Sequence, residues 1–244
     1  MIDVALTPAD ARPADVAVVI DVLRATSTVT QALASGYSAV ICADSIERAR
    51  GLRRAGQVLA GEQQCRMPPG FDRGNSPLEA TRVGGTELVL ATTNGAPAIV
   101  AATGNAVAVA LACLLNLDAV IAGLWGCDVQ IVCSGTGGGV ALEDVYVAGR
   151  ISAGLAGSRT DSALLAEAVA RAYPTAYEAL AASANAQALV SAGLAGDIEY
   201  CARESVLDLV PQVVATGPGV AVVAAGVATA RAGPAPPAAV GAAR

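Results

Sequence analysis

Short apolar runs rich in β-branched residues alternate with helical patterns along the first 150 residues. Residues 15–21 (DVAVVID) read as a buried strand, and 27–35 as a helix capped at its start by Ser27 or Thr26. Residues 39–42 form a second strand, 46–54 a helix with Gly56 just beyond it, and 58–61 a third strand. A polar loop with Pro and Gly covers 63–75, and Asn75-Ser76-Pro77 opens a further helix with Pro where the first turn tolerates it. Strands at 87–91, 106–111 and 129–133 then alternate with helices after Gly95, at 116–124 and at 142–155. This alternation predicts a three-layer α/β/α sandwich on a mainly parallel or mixed sheet.

Beyond residue 160 the pattern is helical, at 161–173, 175–182, 185–192 and 198–203, with a last strand at 220–225. The expectation is one α/β domain over 1–233, divisible into an α/β lobe (1–157) and a mostly helical one (158–233). The Ala/Pro/Gly-rich tail 234–244 is expected to be disordered.

Composition narrows the chemistry sharply. The 244 residues contain no His, and all fifteen basic residues are Arg. Ser-His and Cys-His nucleophile pairs, His-ligated zinc, a P-loop lysine and Schiff-base lysines are therefore excluded. A net charge of −6 argues against nucleic acid as a partner. Mean hydropathy is +0.55, but the longest apolar stretches are interrupted by Gly104-Asn105 and Gly217-Pro218-Gly219, so no membrane span is expected. The N-terminus shows no signal-peptide pattern, and six scattered cysteines fit a reducing cytoplasm better than a disulfide framework.

What remains is oxygen, Arg and backbone chemistry, and it concentrates where strands end. Asp21 closes an apolar strand and is followed by Arg24, Thr26, Ser27 and Thr28. A carboxylate there suits a hard cation, and Arg with a helix N-terminus suits an anion, although the same residues also read as a plain helix cap. Gly61-Glu62, Asn75-Ser76 and Thr92-Thr93-Asn94-Gly95 occupy equivalent places. The run Ser134-Gly135-Thr136-Gly137-Gly138-Gly139 reads as a phosphate-cradling nest or as a flexible loop. It fails the dinucleotide pattern because Val140 takes the third glycine position. Glu143 and Asp144 are adjacent on one helix, so at most one is expected to face the crevice. Cys42 and Arg48 have the spacing of a cysteine phosphatase, but Asp44 and Glu47 between them would repel phosphate.

Taken together, VVIDVLRATSTV (18–29), AGE (60–62), GFDRGNSP (70–77), TTNG (92–95), LLN (114–116), IVCSGTGG with ALED (131–144) and DIEYCARESVLDLVPQ (197–212) resemble, in order, the 2-phosphosulfolactate phosphatase family. The resemblance implies an α/β/α fold, a homodimer, Mg²⁺ as cofactor, and hydrolysis of a phosphate ester beside a carboxylate and a sulfonate. On that basis Asp21, Glu62 and Asp144 are expected to hold Mg²⁺, with Asp21, Arg24 and Glu62 at the chemistry. Thr26, Ser27, Asn75, Ser76, Thr93, Asn94, Gly95, Ser134 and Gly135 are expected around the phosphate. The nucleophile is a water on the metal or, alternatively, Asp21 itself.

Two positions depart from the resembled pattern: Gln63 and Pro97 stand where the family carries Arg. Gln cannot reproduce the bidentate, charge-assisted contact of a guanidinium. Substrate choice is therefore expected to be altered or activity weakened, unless Arg66 or Arg73 compensates. The alternative is an anion-binding protein that keeps the phosphatase fold without turnover.

Overall fold

The computed structural model describes residues 1–124 and 126–226. The expected disordered tail and residues 227–233 of the expected domain lie outside the described residues. The first half runs β1 (Ile2–Ala5), β2 (Ala14–Ile20), α1 (Ala25–Ser35), β3 (Ala39–Ala43), α2 (Ile46–Leu52), β4 (Gln57–Gly61), α3 (Pro77–Ala80), β5 (Glu87–Ala91) and α4 (Gly95–Ala102). The chain continues through β6 (Ala106–Ala112), α5 (Leu117–Gly123), β7 (Val129–Cys133) and α6 (Leu142–Gly154). Four helices follow, α7 (Asp161–Ala172), α8 (Ala176–Ala181), α9 (Ala184–Ser191) and α10 (Ala195–Cys201), and then β8 (Val210–Gly217) and β9 (Val220–Gly226).

The strands form one mixed sheet in the order β1-β7-β2-β6-β8-β9-β3-β5-β4. The outer sets, β1-β7-β2-β6 and β3-β5-β4, are each parallel. The β8–β9 hairpin lies between them, antiparallel to both neighbours. Period-2 alternation assigns the layers. On β2, Val18 and Ile20 enter the core shared with α5 to α10, while Ala17 and Val19 enter the core shared with α1 and α4. Ala43, Leu59, Val89 and Ala91 pack against Ala49 of α2 on the remaining face. The expected α/β/α layering is thus present. Among the described residues no helix is long and apolar enough to cross a membrane.

Two strands escape the sequence reading. β1 has only four residues, and β8 begins Val210-Pro211 and runs on through small residues to Gly217. The hairpin turn is Pro218-Gly219, with Gly219 at φ 70°. A side chain on Gly219 would also collide with Asp44 and Arg48, whose ion pair (2.7 Å) lies over the turn.

The start of α1 corrects an expectation: neither Thr26 nor Ser27 caps it. The helix begins at Ala25, and its first amide donates to Asp21 Oδ1 at 3.1 Å. The Thr26 hydroxyl donates to the Asp21 carbonyl (2.9 Å), that of Ser27 to Val22 O (2.8 Å) and that of Thr30 to Thr26 O (2.7 Å). These hydroxyls are buried, so they must find partners locally.

The later helices join the same core through small residues. Arg159 donates to the carbonyls of Ser152 (2.9 Å) and Leu155 (2.8 Å) at the end of α6, and to Glu167 Oε1 on α7 (2.8 Å). Gly149 of α6 lies against the Ala166 carbonyl and Ala170 Cβ of α7. A methyl group there has to displace backbone, so Gly149→Ala should cost about 1–3 kcal/mol. Urea denaturation checks this, with the midpoint expected to fall.

Candidate active site

Five strand or loop ends converge on one cavity of about 290 Å³. Asp21, Leu23 and Arg24 come from the turn after β2, Glu62 follows β4, and Thr93 and Asn94 follow β5. Asn75 comes from the loop before α3, Thr136 and Gly137 from the loop after β7, and Asn185, Ala188 and Leu189 from α9. These ends belong to both parallel sets, so the cavity is not the rim of a single parallel sheet.

The turn after β2 carries most of the polar structure. Asp21 Oδ1 takes the first amide of α1, while among the described residues no hydrogen bond reaches Oδ2. Gly95, the first residue of α4, packs against that carboxylate and against Ala25, leaving no room for a side chain. Gly95→Ala therefore has to push Asp21 or Ala25 aside. A displacement near 1 Å at a reacting group is worth about 10²-fold in rate, so kcat should fall by about that factor while the far-UV circular dichroism spectrum stays unchanged.

Arg24 is buried and donates through Nη1 to Asp197 Oδ2 at 2.6 Å. Asp197 Oδ1 accepts from the Ser76 hydroxyl, also at 2.6 Å. Ser76 itself caps α3. Glu62 accepts the amides of Thr93 (2.7 Å) and Cys65 (2.9 Å), tying the β4 and β5 ends together.

Of the expected site residues, Asp21, Arg24, Glu62, Asn75, Thr93 and Asn94 line the cavity. The others stand behind this wall. The hydroxyls of Thr26 and Ser27 are committed to backbone carbonyls, which removes them from phosphate contact. Ser76 serves Asp197, and Gly95 makes room for Asp21. Ser134 is buried, with its hydroxyl unpartnered.

Asp144 does not line the cavity. Its oxygens accept from Val22 N (2.9 Å) and Gly135 N (3.2 Å), which fixes two of the loops that do. The glycine run is a closed turn rather than an open nest. Thr136 and Gly139 exchange backbone hydrogen bonds at 2.9 and 3.0 Å, and the Gly137 amide donates to Asn94 Oδ1 at 3.2 Å.

Glu143 and Asp144 are both buried and neither lines the cavity, within the expectation that at most one would face it. Glu143 accepts from Asn185 Nδ2 at 2.5 Å, and that amide also donates to Thr136 Oγ1 at 2.6 Å. Gln63 is exposed and Pro97 lies in the first turn of α4, and neither lines the cavity. The Arg73 guanidinium is turned toward Tyr37, Glu79 and Arg82, so it does not replace a missing Arg. Cys42 is buried in β3, its thiol pushed up to about 12 by burial, and Arg48 pairs with Asp44. The phosphatase-like spacing of those two residues is coincidental.

Negative charge is concentrated here beyond what nearby Arg offsets. Burial pushes Asp21 up to about 7, helped by Glu62 and Glu143 and opposed by the Ala25 amide and Arg24. Asp144 is raised well above the carboxylate range by burial and by Glu143 and Asp21, and burial also raises Glu143. Asn75 lines the same cavity, and its buried Oδ1 has no hydrogen-bond partner among the described residues. An unbonded Asp21 oxygen, the Glu62 carboxylate and the Asn75 amide oxygen are hard-oxygen donors of the kind that suits Mg²⁺ chemically. Among the described residues, however, no three His, Cys, Asp or Glu side chains are arranged around a shared metal position.

Asp197, Glu143 and Asn185 complete the site without having been expected in it. Asp197 carried one signal, its place at the head of the DIEYCARE segment. Asn185, on an Ala-rich helix, carried none.

Comparison with known proteins places the chain in a family. The family model described as 2-phosphosulpholactate phosphatase matches residues 2–216. A probable 2-phosphosulfolactate phosphatase of Thermotoga petrophila is 38% identical over 221 residues, covering 88% of this chain and 96% of the relative. One from Thermus thermophilus is 41% identical over 206 residues, covering 81% and 87%. The 2-phosphosulfolactate phosphatase of Methanothermobacter thermautotrophicus is 34% identical over 196 residues, covering 80% and 84%. With a match along nearly all of its described length and relatives aligned over most of theirs, the chain belongs to the 2-phosphosulpholactate phosphatase family of phosphoric monoester hydrolases.

Proposed function

We propose that the chain hydrolyses the phosphate monoester of a small 2-hydroxy acid with Mg²⁺ as cofactor, in a cytoplasmic homodimer. The relatives' names point to 2-phosphosulfolactate, giving sulfolactate and phosphate. The observation that carries this reading is one cavity lined by Asp21, Glu62, Asn75 and Arg24, in which an Asp21 oxygen and the Asn75 amide oxygen accept no hydrogen bond from the described residues. Six free cysteines fit a reducing compartment.

Asp21, Glu62 and Asn75 would hold the metal, with Asp144 positioning the loops behind them. When bound, Mg²⁺ supplies positive charge against the phosphoryl oxygens as the ester bond breaks. Arg24, oriented by Asp197, presents its remaining N–H groups to the non-bridging oxygens. Thr93 and the Asn94 amide lie on the same wall. A water attacks phosphorus and the 2-hydroxy acid leaves as its alcohol, taking one of the water's protons. Asp21 as nucleophile is the alternative. With Gln63 and Pro97 in place of Arg, the reading includes a choice of 2-hydroxy acid shifted from that of the relatives.

Phosphate release from a panel of 2-hydroxy acid phosphates tests it. Release should require Mg²⁺, stop with chelator and return on Mg²⁺ addition. If no ester is hydrolysed while phosphate or sulfolactate raises the melting temperature, the protein is an anion binder and the phosphatase reading falls.

A further inference from the structure

Resting on the phosphatase reading, we propose that Asn185 is a positioning residue, which holds the turn after β7 so that Asn94 presents its side-chain NH2 group to the cavity. Asn185 sits near the start of α9, a helix anchored in the core by Ala186 and Leu189. Its Nδ2 donates to Glu143 Oε1 at 2.5 Å and to Thr136 Oγ1 at 2.6 Å. A side-chain amide has two N–H bonds, and both are spent here. Asn185 lines the cavity but keeps no donor for a ligand, so what it contributes is placement.

Its two acceptors lie on one stretch of chain. Thr136 belongs to the exposed glycine turn, whereas Glu143 is buried in the first turn of α6. Asn185 therefore pins a segment that packing leaves loose to a carboxylate that packing fixes. On its other side the turn meets Asn94, whose Oδ1 accepts the Gly137 N–H at 3.2 Å. A backbone N–H can only donate, which settles which end of the Asn94 amide faces Gly137.

The NH2 end of Asn94 makes no hydrogen bond among the described residues, and the side chain lines the cavity. A phosphoryl oxygen is an acceptor that this group fits. If the turn moves, the amide is free to rotate and to offer the ligand its carbonyl oxygen, which repels phosphate.

A double-mutant cycle on 2-phosphosulfolactate hydrolysis with Mg²⁺ tests the route. Asn185→Ala should lower kcat/KM by about 10- to 100-fold, the scale of a misplaced contact. Asn94→Ala should lower it at least as far. Adding Asn185→Ala to that variant should then cost less than about twofold, because the group being positioned is already gone. Losses that multiply in an active enzyme overturn the inference and leave the phosphatase reading intact. Wild-type protein that hydrolyses no ester with Mg²⁺ overturns that reading and this inference with it.

Thr136→Val breaks only the tether to the turn, at an exposed residue, and leaves the Glu143–Asn185 bond in place. It should lower kcat/KM in the same direction, while Thr136→Ser keeps the acceptor oxygen and should retain wild-type activity. Hydrogen exchange without substrate or metal reads the placement apart from turnover. Exchange over residues 135–139 should speed up by at least about tenfold in Asn185→Ala and Thr136→Val, and keep the wild-type rate in Thr136→Ser. Unchanged exchange in Asn185→Ala would refute the tether.

Discussion

Asp21→Asn should lower kcat/KM for ester hydrolysis by about 10³-fold, the scale of losing a preorganised electrostatic group, and yet raise the melting temperature of the metal-free protein. The two effects share one cause. Asp21 is buried, and its charge faces Glu62 and Glu143. The amide keeps the shape and can still accept the Ala25 N–H, but it removes a buried charge that the fold opposes.

The pH dependence follows in sign. The folded carboxyl is raised from 3.8 to about 7, so the folded protein holds this proton more tightly than the unfolded chain does. Wild-type stability from this group is then full below the unfolded value and lost as pH rises through 7. The advantage of the variant should be greatest above pH 7 and shrink toward pH 4. Calorimetric melts in chelator across that range decide it. A variant that melts lower than wild type at pH 8 would mean that the Ala25 hydrogen bond outweighs the repulsion. Unchanged hydrolysis would remove Asp21 from the chemistry.

How far such a site is legible in sequence depends on whether a residue's partner is local. Asp21, Glu62, Thr93 and Asn94 were readable because each follows an apolar run, and a strand that ends in small polar residues delivers them to a crevice. The strands themselves were readable for the same reason, since burial on both faces leaves unbroken apolar runs. β8 was not, because Pro211 and the Ala-Thr-Gly ending resemble a loop, and its place between the two parallel sets is fixed only by tertiary pairing.

Thr26 and Ser27 mislead in an instructive way. A hydroxyl run ahead of a helix looks like a cap or a phosphate contact, but the helix starts earlier and buries them, so they bond backward to Asp21 and Val22. The closed glycine turn misleads similarly, because glycine supplies the positive φ of Gly135, Gly137 and Gly138 while the amides of two of them are taken by Asp144 and Asn94. Asp197 showed only as the head of the DIEYCARE segment, with no sign of its role: a carboxylate on a short helix reads as a solvated face until packing of α10 beside α3 buries it.

That hidden residue carries the largest expected effect on stability. Arg24 and Asp197 have side-chain exposures of 3% and 2%, so Asp197→Ala leaves a guanidinium in the interior with no counter-charge. Breaking a buried pair from one side costs about 3–5 kcal/mol, because the penalty is the uncompensated charge rather than the lost attraction. The Ser76 hydroxyl loses its acceptor as well. For a chain of this size the melting temperature should fall by roughly 6–20 °C. Hydrolysis should fall too, measured well below that melt, because nothing then aims Arg24 at the cavity. The double variant Arg24→Met with Asp197→Leu separates the two roles. It removes both charges together, so most of the stability should return, while activity stays absent because the guanidinium is gone. If the double variant melts as low as Asp197→Ala, the defect lies in the packing of α10 and not in the stranded charge.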